Sequence, residues 1–399
     1  MQMRVFFLII AISISIYSQG QLCNNKEVPG VIINHVAATE GLYIGSPGIC
    51  FLPDGSYIST HEYFGPGNNN KTSIVQVFLS KDKGQHWTRI SKIEGQVWSE
   101  PFVLNDTLYM IGPVEYGGDL VIRKSLDGGY TWTTPIDSYS GRLFSGHYHS
   151  APTPVVFHGN RIWKAIEDLD GPKGEKWGMF FRSYVISAPL DSDLMKASSW
   201  TITNPMAYNS AYLDGNFAGW LEGNVVVDPN GNIVNILRTD YRKNGDEKAS
   251  IISISDDGKV ASFNPTTGFI NYPGGCKKFT IRYDSVSELY WTLSNYVPLL
   301  DKGYNPERTR NTQALMCSRD LKKWVVKAIA LHHADREKHG FQYIDFQFDG
   351  DDIVFVSRTA YDDTSGGANN QHNANYLTFH RIINFRDYTT PKCWENLMP

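Results

Sequence analysis

The sequence predicts an all-β chain folded as a single β-propeller of four-stranded blades. Three observations carry that expectation. Of 399 residues, 35 are Gly and 52 are Phe, Tyr or Trp, a composition of short strands and turns rather than helices. A turn motif recurs, Ser80-x-Asp82-x-Gly84-x-His86-Trp87 and then Ser125-x-Asp127-x-Gly129-x-Thr131-Trp132. A unit of apolar strand, turn and apolar strand also recurs, around Asp54-Gly55, Asn105-Asp106, Gly159-Asn160, Asn230-Gly231, Asp284-Ser285 and Asp349-Gly350, with a mean spacing of about 59 residues.

Taken in order, the chain begins with Arg4 and an apolar run from Val5 to Ile16, followed by small Ser18 and Gly20. This reads as a signal peptide over residues 1–20, cleaved near Gly20–Gln21, and implies a secreted or periplasmic protein. The run is too short to anchor in a membrane, so membrane insertion is not expected. Residues 21–399 then form the propeller. Its innermost strands read Ile49–Leu52, Pro101–Leu104, Thr153–Phe157, Asn224–Val227, Phe279–Arg282 and Ile344–Phe348. Six blades are counted, and seven if one repeat hides a split. The last repeat, ending near Asn375–Ile383, lacks a fourth strand. Val31–Ala38 is expected to supply it and so remove the open edge. Eroded copies of the turn motif stand at Ser253-Ile-Ser-Asp256-Asp-Gly258 and Ser318-Arg-Asp320-Leu-Lys-Lys-Trp324. The five cysteines are widely spaced, with no Cys-x-x-Cys pair, so neither a disulfide scaffold nor a zinc site is expected. A net charge of −4 without a Lys/Arg-rich run argues against nucleic acid as a partner.

Strand direction sorts the loops into two faces. The recurring turns share one face. The opposite face receives the long polar loops, where binding groups usually sit on a rigid scaffold. Reaching that face are His61, Glu62, Glu115, Glu167, Arg238, Tyr241 and Arg358 from second strands. Trp98, His147, His149, Trp220, Glu222 and Lys278 arrive with the innermost strands. In His147-Tyr148-His149 the period of two puts both imidazoles on one side. The same pair suggests metal, but no third ligand at fixed spacing accompanies it, and no metal or other cofactor is expected.

The turn motifs are those of the Asp-box, or BNR, repeat, and the chain resembles the sialidase superfamily. It carries no Arg-Ile-Pro type motif, with which a sialidase supplies the first arginine of its carboxylate-binding triad. Gly45-Ser-Pro47, Leu52-Pro-Asp-Gly55, His61-Glu-Tyr-Phe-Gly-Pro66, His147-Tyr-His149-Ser-Ala-Pro152, Leu221-Glu-Gly-Asn224 and Lys278-Phe-Thr-Ile-Arg-Tyr-Asp284 resemble Bacteroides-type propeller enzymes acting on arabinogalactan proteins. That resemblance implies a plant-type acidic polysaccharide or oligosaccharide as partner. It also implies either a lyase cleaving rhamnose–glucuronate linkages or an exo-α-L-rhamnosidase.

The residues fit elimination. Removing the C5 proton of a glucuronate requires cationic groups on its carboxylate, with a base on the proton. His61, His149 and Tyr241 are the candidates for proton transfer. His147, Arg238, Lys278, Arg358, Glu222 and Trp98 are the candidates for binding substrate. One rival is a glycoside hydrolase using two of Glu62, Glu115, Glu167 and Glu222. Another is a non-catalytic glycan-binding propeller that uses Trp98, Trp220 and tyrosines as stacking platforms.

Overall fold

The computed structural model describes residues 27–67, 73–174, 176–241, 243 and 246–388. The expected signal peptide, Cys23 and Cys393 lie outside the described residues. Every sheet is antiparallel and nearly every connection is a turn or loop; the helical pieces are single 3-10 turns. Among the described residues, no helix is long and apolar enough to cross a membrane.

Four sheets have the size of a propeller blade. In the first, Tyr43–Ile44 and Gly48–Phe51 share Tyr57–Phe64 as neighbour, followed by Ile74–Ser80 and Thr88–Glu94. The second runs Trp220–Val227, Ile233–Thr239 and Lys248–Ile254, with Ala261–Ser262 and Phe269–Asn271 both on its outer side. The third runs Thr280–Asp284, Leu289–Asn295, Thr312–Ser318 and Val325–His332. The fourth runs Gly340–Asp349, Asp352–Ala360 and Tyr376–Ile382, and Val31–His35 closes it. That closing pair is antiparallel, with Val31 opposite Phe379 and His35 opposite Tyr376.

The expectation of six or seven separate blades is overturned by the strand pairing. The second and third repeats form one continuous eight-stranded sheet. Arg142–His149 is the reason. It pairs with Gly118–Ser125, and its last residues Tyr148 and His149 also pair with Asp168 and Glu167 of Arg161–Asp168. Pro152 and Pro154 then interrupt the ladder, since proline brings no N–H, and pairing resumes at Val156–His158. Among the described residues the propeller therefore has four blade-sized antiparallel sheets, beside this one eight-stranded sheet, and not six or seven blades.

The recurring turns hold themselves by one bonding scheme. Ser80 Oγ donates to Asp82 Oδ1 and accepts from Gly84 N, both at 2.9 Å. Asp82 also accepts from His86 N at 2.9 Å, and the Trp87 indole donates to Gly84 O at 3.1 Å. The Asp127 turn repeats each of these bonds. The Asp320 turn keeps the aspartate and tryptophan bonds. In the fourth copy the frame lies two residues later than the motif suggests, with Ser255 bonded to Asp257. Trp87 packs near Tyr57, at the start of a strand whose other end carries Glu62. Five residues of extended chain, roughly 16–17 Å, thus separate the turn face from the opposite one.

Adjoining sheets are glued by apolar side chains. Ile49, Tyr57 and Phe78 of the first sheet meet Val354, Val356 and Phe379 of the last, together with Ile33 of the closing strand. Ile33→Ala should therefore lower unfolding free energy by about 2–4 kcal/mol. Ile32→Ala, at a neighbouring residue that is 48% exposed, should change it by less than about 0.5 kcal/mol. Denaturant unfolding of both variants checks this, and equal effects would place the closing strand off the core.

Candidate functional site

Two innermost strands break their ladders at equivalent places. The register of Trp220–Val227 slips between Leu221 and Asn224, and that of Gly340–Asp349 slips between Gln342 and Asp345. Inside the slips, Glu222 and Tyr343 hold φ of +56° and +54°. Non-glycine residues rarely adopt this region, and such strain clusters at functional sites. Across each ladder, the residue before the strained one pairs with an arginine-bearing position: Leu221 with Arg238, and Gln342 with Arg358.

These residues gather into one buried charge cluster with Arg310. The guanidiniums of Arg310 and Arg358 lie 5.8 and 4.7 Å from the Tyr343 ring centre. Arg238 belongs to the same cluster, since Tyr343 is among the groups that raise its pKa. All three arginines are 3–4% exposed. Arg238 is bound on three sides. Nη1 meets Glu222 at 2.9 Å, Nη2 meets Glu307 at 3.3 Å, and Nε donates to Cys276 O at 2.9 Å. Arg310 donates through Nη1 to Gln342 at 2.7 Å and through Nε to Glu307 O at 2.9 Å. Arg358 donates through Nη2 to His372 O at 2.7 Å, and its buried Nε has no partner among the described residues. Burial lowers the pKa of Arg358 to about 10, with Arg310 pushing the same way. Burial and the three arginines drive His372 to about 2, so its imidazole stays neutral. A cavity of about 340 Å³ opens here, lined by Glu307, Arg308, Arg310 and residues 370–373.

Two glutamates flank the cluster with opposite tendencies. Burial pushes Glu62 up to about 7, against backbone N–H bonds from Ser46 at 2.7 Å and Trp98 at 3.3 Å and the field of Arg358. A Cβ at Gly45 would strike this carboxyl, so the chain needs glycine there. Burial also pushes Glu222 up. The charge and hydrogen bond of Arg238, with help from His149 and Arg310, outweigh it and hold that carboxyl below its usual range.

The sequence-derived candidates divide. Arg238, Arg358 and Glu222 belong to the cluster. His149 adjoins it. Its Nδ1 lies 3.2 Å from Glu167 Oε2, its ring is 4.8 Å from that of Trp98, and it is among the groups that lower the pKa of Glu222. Trp98, with φ of +42°, bridges Glu62 and His149. The other four are placed elsewhere. His61 is fully buried between sheets, stacked on Phe78 and bonded to Asn34, and burial lowers its pKa to about 4. Tyr241 sits beneath the Lys248 ammonium, in the field of Asp246 and Asp214. His147 stands exposed at the rim, 2.8 Å from Asp170. Lys278 is spent inside the molecule on Thr280 Oγ1 and Ile344 O, at 2.8 and 2.5 Å, and burial lowers it to about 8. Sequence reasoning passed over Tyr343 and Arg310. Arg310 lies just before the strand Thr312–Ser318, whereas Tyr343 lies in a run that alternation alone renders ordinary.

No protein-family model and no curated protein matches the chain. Solved structures share its fold. A Dyadobacter fermentans protein of unknown function aligns at TM-score 0.58 and 15% identity, over 90% of this chain and 98% of that one. A Penicillium chrysogenum α-L-arabinanase complexed with arabinobiose aligns at 0.55 and 14%, over 90% and 99%. A Hadza microbial sialidase aligns at 0.57 and 15%, over 89% and 68%. The chain thus shares the propeller of sialidase- and arabinanase-type proteins. This is coarser than the expected resemblance to rhamnose–glucuronate enzymes, and at these identities it concerns the fold alone.

The raised pKa of Glu62 makes a stability prediction. Its folded value, about 7, lies above its ordinary 4.5. The neutral form is therefore favoured by folding, and its contribution is full below about pH 4.5 and lost as pH rises through 7. Glu62→Gln should resemble the wild type in melting temperature near pH 5 and exceed it at pH 8. Thermal melts across that range measure the difference, and parallel curves would refute the shift.

Proposed function

We propose that the protein is a glycoside hydrolase that removes a terminal carboxylate-bearing sugar from a glycan. The observation that carries this reading is the convergence of Arg238, Arg310 and Arg358 on Tyr343 beside an open cavity. Guanidiniums match a carboxylate in charge and fork geometry. The Nε of Arg358, without a partner among the described residues, is a buried donor suited to such an anion. Neighbours of the same fold include a sialidase and an arabinan-degrading enzyme, which agrees with action on a glycan.

In this mechanism the arginines hold the carboxylate and fix the anomeric carbon against Tyr343. Glu222, ionised, takes the phenolic proton. The phenolate oxygen bonds to the anomeric carbon as the glycosidic bond breaks, and Glu62 gives its proton to the leaving oxygen. Water then attacks the anomeric carbon and gives a proton to Glu62 as the tyrosine–sugar bond breaks, and Glu222 returns its proton to the departing phenolate. Two carboxyls whose surroundings drive their pKa values apart are the usual mark of such a division of labour, and a tyrosine nucleophile is an established exception to the two-carboxylate scheme. Elimination at a rhamnose–glucuronate linkage is less well supported. Of its three proton-transfer candidates only His149 adjoins the cluster, and Lys278 is spent on Thr280 Oγ1 and Ile344 O.

The test is digestion of sialosides, of aryl and oligosaccharide glucuronides, and of a rhamnose-capped glucuronate, following released sugar and ultraviolet absorbance. Free acidic sugar without new absorbance supports hydrolysis. Rhamnose together with an unsaturated uronate establishes the lyase instead. On the responsive substrate, Glu62→Gln and Tyr343→Phe should each cost on the order of 10²–10⁴ in kcat. The rate should fall above about pH 7 as Glu62 loses its proton.

A further inference from the structure

Arg238 is the deepest charge of the cluster at 3% exposure, and what covers it is a carboxylate. Glu307 Oε1 lies 3.3 Å from Arg238 Nη2, and the Glu307 side chain is 23% exposed and lines the cavity. Its backbone is fixed independently of that contact. Asn305 Oδ1 accepts from Glu307 N at 3.1 Å, Glu307 O accepts from Arg310 Nε at 2.9 Å, and Pro306 O accepts from Lys277 Nζ at 2.6 Å. The turn is thus clamped to the site while its side chain projects into the cavity. By contrast, the other carboxylate on Arg238, Glu222, is 4% exposed and sits in a strained bulge.

We infer that Glu307 is a tethered substrate mimic. Its carboxylate occupies the Arg238 end of the cradle and yields that place to the carboxylate of an incoming sugar. This rests on the proposed binding of an acidic sugar by the three arginines. Exchange of one carboxylate for another conserves the charge around Arg238, so the guanidinium is never left buried and unpaired, which would be costly. It also makes Glu307 a determinant of specificity. A neutral sugar cannot replace the lost ion pair and is refused, whereas an acidic one restores it. Only side-chain rotation is required, because the backbone bonds of the turn do not depend on the ion pair.

The experiment is calorimetric titration of wild type, Glu307→Gln and Glu307→Ala with glucuronate, N-acetylneuraminate and neutral galactose, with thermal melts of all three proteins. Tethered competition predicts that at least one acidic sugar binds on the order of ten-fold more tightly to both variants than to wild type. Galactose should remain as weak as before. Rescue by Gln is not expected, since the amide brings no charge. Unchanged or weakened acidic-sugar binding in variants that melt like wild type would overturn the inference, leaving Glu307 as a positioning residue for Arg238. Were Glu307→Ala to unfold, Glu307→Gln alone decides between these outcomes. If no protein binds either acidic sugar, the cradle reading itself falls, and this inference with it.

Discussion

Three guanidiniums, each only 3–4% exposed, are packed close enough to repel each other, and much of the surrounding chain is disposed around that repulsion. The cost is visible at Arg358, whose proton is held less tightly because of burial and Arg310, with Tyr343, Glu62 and Glu222 opposing. It is visible again at His372, whose imidazole burial holds neutral, with the three positive charges pushing the same way. Glu222 and Glu307 bracket Arg238, while Gln342 and two backbone carbonyls absorb donors of Arg310 and Arg358. Buried charge of one sign persists only when matched in this way. The matching is incomplete at Arg358 Nε, so the pocket has more donor capacity than the protein itself uses.

The scaffold meets this constraint with one local device used twice. An innermost strand bulges, a non-glycine residue is forced to positive φ, and the residue before it stays in register with an arginine position on the second strand. Glu222 with Arg238 and Tyr343 with Arg358 are the two instances. Each strained backbone costs about 1–3 kcal/mol and survives because paired ladder on both sides leaves no alternative. Such a bulge re-aims the side chain it carries. Arg310 needs no such device, since it arrives on a loop.

Much of the fold was legible because turns and strand ends are local. The Ser-x-Asp-x-Gly turns bond within seven residues, and the missing edge strand of the last repeat pointed to Val31–Ala38, where Val31–His35 now pairs. Blade number was not local. It depends on whether Tyr148 and His149 pair onward with Asp168 and Glu167, a question of ladder continuity between repeats. The site was half legible for a related reason. Residue type and strand order identified Arg238, Arg358, Glu222, His149 and Trp98. Period two gives the side of a strand on which a residue stands but not what that side faces. His61 therefore ended between sheets against Phe78, and Lys278 ended on the carbonyl of Ile344. Tyr343 was hidden by its own bulge, because a positive φ breaks the alternation by which a strand is read.

The contrast between Glu62 and Glu222 argues most directly for the direction of the chemistry. Both are glutamates, both are almost wholly buried, and burial raises both. They differ in what compensates. Glu222 has a guanidinium at 2.9 Å, so its charge is retained. Glu62 has two backbone N–H groups and only the more distant field of Arg358, so its proton is retained to about pH 7. Neutral donors can orient a carboxyl without forcing it to ionise, and the glycine at 45 lets the backbone close over it. Near neutral pH the arginine cluster thus has an ionised carboxylate on Arg238 and, in the field of Arg358, a carboxyl that holds its proton to about pH 7. Glycosidic hydrolysis needs that pairing in its first step, with protonation of the leaving oxygen and deprotonation of the nucleophile occurring together. Elimination needs a base aimed at a C–H bond, and of the residues suited to that only His149 lies beside the cluster, whereas Tyr343 stands against the guanidiniums of Arg310 and Arg358.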